Sequence, residues 1–255
     1  MKRFEKILQK IKYNKDHKYL VSISDIHLTN DSSYGKFNSD GVNEDLLNKF
    51  DIVDESINVA NYLKAPYVMC GDFFDKRIND AITLNYAALI ISKFNTKTHK
   101  ERVPFAVFIA GNHEFDDSEG KHCVLNQYNF FNTRVFIYTL PFFVEHLPNI
   151  RTDLNYRFHC VPANKNSEKT LRELNLNFVR KANKEFLLFH GPIQGADMGS
   201  MKAPDGVSPT LISELATKFD WIICGDFHKF QYVNNLKNVY YCGSLKQMNM
   251  GDMFQ

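Results

Sequence analysis

Five short stretches of the chain set acids, amides and imidazoles directly after apolar runs. They are Asp25-Ile26-His27, Gly71-Asp72-Phe73-Phe74-Asp75, Gly111-Asn112-His113-Glu114, Phe189-His190-Gly191 and Gly225-Asp226-Phe227-His228. Any one of them is weak as a signal. Gly-Asp after an apolar run is often only a turn, Asn112 suits a left-handed turn, and a single histidine at a strand end is more often hydrogen-bonded in the core than a ligand. The five are not independent, however, because open α/β sheets present the C-terminal ends of their strands to one crevice. Together they offer nitrogen and oxygen donors in a number that suits two divalent cations. A carboxylate can bridge two such ions about 3.5–4 Å apart. Asp72 has the place of a bridge, since its apolar run lies between other donor-bearing runs.

These residues need strands to carry them and helices to return the chain. Apolar runs over residues 19–24, 65–70, 104–110, 186–189 and 221–224 have the length of buried strands. Helices are expected near 44–63, 78–94, 168–182 and 209–218. In the first of these Leu46, Phe50, Val53, Ile57 and Ala60 fall on one face. Between residues 120 and 165 short apolar runs (135–140, 142–144 and 156–161) alternate with Asn, Asp and Pro, and we read them as antiparallel strands of a second sheet or half-sheet. Two last strands are expected over 231–233 and 239–242. The polar loop over 29–43 leaves the donor end of the sheet and could border a substrate. The pattern is α/β with two packed sheets.

The chain of 255 residues is long enough for a full core, and 44% hydrophobic content is that of a globular protein. Its five cysteines include no CxxC pair, and four of them (Cys70, Cys160, Cys224 and Cys242) lie in apolar runs. They read as buried thiols of a cytoplasmic, reducing compartment. No run approaches the ~18 apolar residues of a membrane span. The net charge of +2 neither demands nor excludes nucleic acid, for which a local basic patch is enough. Residues 1–18 stand apart: seven basic residues against Glu5 and Asp16 give this segment +5. Phe4, Ile7, Leu8 and Ile11 fall at helical spacing. We expect an amphipathic N-terminal helix extension over 1–18, docked by its apolar face or touching nucleic acid, and a single catalytic domain over 19–255.

The ordered set of motifs resembles the calcineurin-like metallophosphoesterases over about residues 19–250. Within that superfamily it is most similar to the SbcD-type DNA repair nucleases, including phage-encoded versions. His190-Gly191-Pro192-Ile193-Gln194-Gly195-Ala196 and the tail Val239-Tyr240-Tyr241-Cys242-Gly243-Ser244-Leu245 favour that branch. The resemblance implies a four-layer α/β/β/α sandwich of two mixed sheets, with a dimetal site at the strand C-terminal ends. It implies that Asp25, His27 and His228 hold the first metal, that Asp72 bridges, and that Asn112 and His190 hold the second. His113 would face the scissile phosphate rather than a metal. Asp75 and Glu114 would orient imidazoles from behind. Two divalent ions, most often Mn²⁺ in such proteins (Mg²⁺, Fe or Zn²⁺ also suit the donors), would neutralise the phosphate and activate a water for in-line attack.

This sequence departs from the family pattern at Asp226, where the usual Gly-His-x-His motif has its first histidine. A carboxylate there can still bind a cation, as a harder and anionic ligand. The resemblance implies DNA as substrate, and an SbcC-type ATPase as partner, although the segment that binds it in SbcD-type proteins falls after the point that matches Gln255. A homodimer is a further expected assembly; a membrane is not an expected partner. Three functions stay open at this point. One is a metal-dependent DNA nuclease. The second is a phosphatase acting on phosphomonoesters or phosphoprotein, against which stand the lack of Gly after Arg77 and the Gly-Pro after His190. The third is a non-catalytic binding subunit with a degenerate site.

Overall fold

A computed structural model describes residues 18–245 apart from 32, 34, 96–104, 116–121, 130–133, 141–142, 149–154 and 200. The expected N-terminal helix therefore lies outside the described residues. Four strands form the first sheet in the order β1 (Val21–Ile23), β2 (Tyr67–Cys70), β3 (Ala106–Ile109) and β4 (Val135–Tyr138), all parallel. The second sheet has six, in the order β5-β6-β7-β8-β10-β9. They are β5 (Phe143–Pro148), β6 (Asn155–Val161), β7 (Lys184–His190), β8 (Trp221–Gly225), β9 (Gln231–Tyr232) and β10 (Val239–Tyr241). In it β6, β7, β8 and β10 run parallel, while β5 and β9 are antiparallel to their neighbours.

Alternation along the strands builds the layers. Val68, Cys70, Val107 and Ile109 point towards Phe158, Leu188 and Ile223 of the other sheet, where Phe158 stacks on Phe186 at 5.0 Å. The intervening residues Met69 and Phe108 face helices α1 (Glu44–Leu63) and α2 (Ala81–Ser92). On the far side Leu187, Phe189 and Ile222 face α3 (Ser167–Asn177) and α4 (Pro209–Ala216). Both faces of the central strands are thus covered, which is why they read as continuous apolar runs. The result is the α/β/β/α sandwich, but among the described residues only the second sheet is mixed, the first being parallel throughout because each of its strands returns by a crossover. Local chemistry sets the helix ends: Asn43 accepts from the Asp45 amide at 2.7 Å and Asp80 from the Thr83 amide at 2.6 Å, as N-caps do. The second of these starts α2 three residues later than the sequence suggests and leaves Ile78 on the surface.

The strands between residues 135 and 161 differ from the expectation. Residues 135–138 are not part of an antiparallel unit; they extend the first sheet, parallel to β3. The connection from β3 runs over 110–134, long enough for the crossover a parallel pair needs. Likewise β6 pairs parallel with β7, and only the short β5–β6 link makes an antiparallel pair. Polar punctuation alone does not distinguish these cases.

At one end the two sheets clasp. The β1 exit bridges to Ser244 after β10. A Cβ added at Gly225, the last residue of β8, would stand 1.9 Å from the carbonyl oxygen of Cys70, the last residue of β2. Gly225→Ala must therefore push the two sheets apart at the donor end. Overpacking of this kind costs about 1–3 kcal/mol, so the variant's unfolding free energy should fall by that much, read as a lower denaturation midpoint with the m-value unchanged. A wild-type midpoint would show that this contact does not set the distance between the sheets.

Candidate metal centre

The five donor stretches end their strands within one crevice. Asp25, His27 and Asp72 all have positive φ, near 52°, and Asp226 has φ 110°. Non-glycine residues in this region cost on the order of 1–3 kcal/mol each and persist where the surroundings force them. Here the surroundings are the neighbouring strand ends. The amides of Asp25 and His27 donate to the Gly71 and Asp72 carbonyls, each at 3.0 Å, which turns both side chains inward. Glycine is needed beside them: a Cβ at Gly71 would fall 2.0 Å from His190 Nδ1, and one at Gly111 would fall 2.1 Å from Asp72 Oδ1.

Asp72 is the convergence point. Its Oδ1 accepts from the His113 amide at 3.1 Å. Around Oδ2 stand His190 Nε2 at 3.5 Å, His27 Nε2 at 3.8 Å and His113 Nε2 at 4.0 Å. Burial pushes its carboxyl up, yet the combined field of His190, His27 and His113 holds it below the usual carboxylate range. Asp25, fully buried, receives the Ser24 hydroxyl and the Asp226 amide. Burial pushes the Asp25 carboxyl up to about 6, with His190 opposing and the Asp72 charge adding to the rise. His27 is pushed down to about 3, first by burial.

Three groups of donors each lie within 4.8 Å: Asp25, His27 and His228; His27, Asp72 and His113; and Asp25, Asp72 and His190. Hydrogen bonding supports a cation here. His190 Nδ1 donates to the Cys70 carbonyl at 2.7 Å, which aims Nε2 into the centre. Burial opposes its charge, yet the Asp72, Asp25 and Asp226 carboxylates raise the pKa of this imidazole well above its ordinary value, so Nε2 holds a proton that a bound cation would replace. That nitrogen stands 3.1 Å from the Asn112 Oδ1 oxygen and 3.5 Å from Asp72 Oδ2, so two oxygen acceptors converge on the point that its proton, or a cation in its place, occupies. On the other side the Nε2 atoms of His27 and His228 face each other at 3.2 Å. Acceptors gathered in this way need positive charge between them, and the donor set fits two divalent ions sharing Asp72. Asp25, His27 and His228 would hold one, Asn112 and His190 the other.

The structure brings Asp226 to the rim of this cluster. Its Oδ1 stands 4.0 Å from His190 Nε2, outside the three tight groups. Burial raises its carboxyl, as does Asp72, while His190 opposes. Asp75 lies against His27, carboxylate to Nδ1 at 3.7 Å, and its backbone carbonyl accepts from His113 Nδ1 at 2.5 Å. Glu114 corrects the sequence reading. Rather than orienting an imidazole, it accepts the amides of Gly111 (2.6 Å), Phe74 (2.8 Å) and Asp72 (3.1 Å). It thus ties the ends of β2 and β3 together. Burial pushes its carboxyl up to about 8, aided by Asp72 and opposed by those amides.

Lys49 was missed by the sequence reading. It is buried on α1, bonds the His27 carbonyl at 2.8 Å and pairs with Asp45 at 2.9 Å. Its signal was a lysine inside the apolar stripe between Leu46 and Val53.

The model of the calcineurin-like phosphoesterase family matches residues 19–230. The uncharacterized protein R555 of Acanthamoeba polyphaga mimivirus is 33% identical over 79 residues, which is 30% of this chain and 6% of that protein. The chain therefore corresponds to a small part of that relative's length. Among solved structures, a putative 5'-nucleotidase from Staphylococcus aureus in complex with alpha-ketoglutarate superposes with a TM-score of 0.49 at 14% identity, covering 86% of this chain and 47% of that one. GAP50, the anchor in the inner membrane complex of Plasmodium, gives 0.43 at 17% identity, covering 92% and 72%. Among the described residues no helix is long and apolar enough to cross a membrane.

The position of Asp226 is open to a direct test. An anionic oxygen donor favours hard cations, so Asp226→His should fold normally and shift metal preference from Mn²⁺ or Mg²⁺ towards Zn²⁺. A competition titration of the metals against each variant reads the ranking. An unchanged ranking means that Asp226 does not reach a metal.

Proposed function

From a chain that belongs to the calcineurin-like phosphoesterase family, we propose a metal-dependent DNA phosphodiesterase that works with two divalent ions, Mn²⁺ by preference. The family assignment carries hydrolysis of phosphoester bonds. The choice of a nucleic-acid diester rests on one observation, the surroundings of the donor cluster. A cleft of about 410 Å³ opens beside Asn112 and His113 and is bordered by Asp75, Lys76, Arg77 and the exposed Ile78, with Lys76 paired to Asp31. Cationic and apolar surface leading away from the metal donors suits an anionic chain that continues on both sides of the cleaved phosphate. A phosphomonoester ends at that phosphate and needs no such continuation.

Bound divalent metal supplies charge neutralisation at the phosphoryl group and lowers the pKa of a water. The chain's own residues do the rest. Lys76 and Arg77 attract the phosphate backbone into the cleft. His113 donates Nδ1–H to the Asp75 carbonyl, which fixes its ring and leaves Nε2 as the nitrogen that takes or gives a proton. It is the half-exposed imidazole of the centre, lying edge-on to His27 at 4.8 Å between rings. That position lets it donate to a phosphate oxygen as charge develops, or protonate the leaving oxygen.

A positioned acid–base group is worth roughly 10²–10⁴ in rate. His113→Ala should lose about that much in single-turnover cleavage of end-labelled DNA with Mn²⁺, while metal content and DNA affinity stay near wild type. Loss of metal would make His113 a ligand; full cleavage would make it a bystander. A chromogenic phosphomonoester assayed in parallel separates the two substrate classes. Its hydrolysis by a protein that leaves single- and double-stranded DNA intact would overturn the nuclease reading.

A further inference from the structure

The two sheets are unequal in width, and the difference leaves an aromatic surface uncovered. β1 is the edge of the first sheet and lies over β10, where the Ser22 hydroxyl meets the Tyr240 hydroxyl at 2.9 Å. β9 lies one strand further out, and among the described residues no strand of the first sheet opposes it. The inner face there forms a groove of about 410 Å³. Its floor is the buried Tyr156 and Phe186, its wall Trp221, Phe230, Tyr232 and Tyr240. Three of those rings are well exposed: Trp221 at 38%, Phe230 at 55% and Tyr232 at 54%.

The rings form a continuous row. Phe230 contacts Tyr232 at 5.6 Å and Tyr240 at 6.0 Å, and Tyr240 contacts Trp221 at 5.9 Å. Phe230, one end of the row, follows His228 by two residues. The row then runs along the antiparallel β9–β10 pair to the start of β8. The rim is cationic. Among the described residues Lys18 and Lys184 line it and no carboxylate does; the nearby Asp220 is shared by Lys184 and Arg180, each at 3.0 Å.

We propose that this groove is a stacking platform for an unpaired nucleic-acid strand, on which two or three bases lie against Phe230, Tyr232 and Trp221 while Lys18 and Lys184 meet the phosphates. The proposal rests on the reading of the protein as a DNA phosphodiesterase and adds a strand preference to it. Flat exposed rings with lysines beside them are what successive bases and their backbone require, whatever the sequence. A purely apolar partner would use the rings but gain nothing from the cationic rim. Because Phe230 is two residues from His228, a strand seated here would pass at that end of the row towards the metal donors.

Trp221 is the single tryptophan of the chain, so its emission reports on the groove directly. The full chain, loaded with Mn²⁺, is mixed in a stopped flow with a single-stranded oligothymidylate of about ten nucleotides, within the range one such surface accommodates. An abasic oligomer with the same phosphates and a duplex of equal length are the comparison arms, and cleavage is read from the same samples. Trp221 emission should fall saturably with the oligothymidylate. Affinity should be weaker by roughly tenfold or more for the abasic oligomer and for Tyr232→Ala, as loss of base stacking requires. Equal affinity in these arms overturns the platform and, with cleavage intact, leaves the phosphodiesterase standing. Stacking without cleavage supports the platform and overturns the phosphodiesterase. If Trp221 is unresponsive and becomes accessible to acrylamide only after residues 1–17 are removed, that segment covers the groove and the platform is overturned. It is equally overturned if the chain self-associates through the groove and Tyr232→Ala abolishes that association.

Discussion

A carboxylate as deeply placed as Asp72 cannot stand alone. Taking an ionised group out of water is costly unless opposite charge and hydrogen bonds replace the solvent, and the donor end of this fold is built to supply both. Three imidazoles converge on one oxygen of Asp72, and a backbone amide holds the other. The same demand explains the strained backbone of Asp25 and His27, whose amides reach across to the end of β2. It also explains the two groups that touch no donor atom of the cluster yet stand behind it. Glu114 clips three amides around Asp72, and Lys49 pins the carbonyl of His27.

The same constraint shapes the sandwich. Two sheets must end at one place for seven side chains to meet, so their approach is closest there. Gly71, Gly111 and Gly225 are the residues that permit it, because each faces a neighbour with no room for a methyl group. Away from the donor end the sheets need not match, and they do not. Among the described residues the second is two strands wider, and its surplus exposes the aromatic row of Phe230, Tyr232, Tyr240 and Trp221.

The donor end was the legible part of the sequence. Each donor follows an apolar run, and buried parallel strands are almost the only elements that end so abruptly in polar residues. The helix over 44–63 was equally legible, because its apolar residues keep one helical period along its length. Strand partners were not, as residues 135–138 and 156–161 show. Direction depends on the length and path of the connection, and an isolated four-residue run carries no mark of either. Glu114 was visible but its role was not, since a carboxylate that binds backbone amides has the same sequence signature as one that binds an imidazole. Lys49 went unread, because its partner, the His27 carbonyl, is a product of the fold. The aromatic groove was invisible for a simpler reason: it exists only because two sheets of unequal width meet.

The central claim is that Asp72 joins two metal sites rather than serving one. Diffraction from a crystal grown with excess Mn²⁺, collected where manganese scatters anomalously, tests it most directly. The account predicts two anomalous peaks per chain, both in contact with Asp72, one beside Asp25, His27 and His228 and the other beside Asn112 and His190. A single peak remote from Asp72, or a peak held by His113 in place of Asn112, would contradict it.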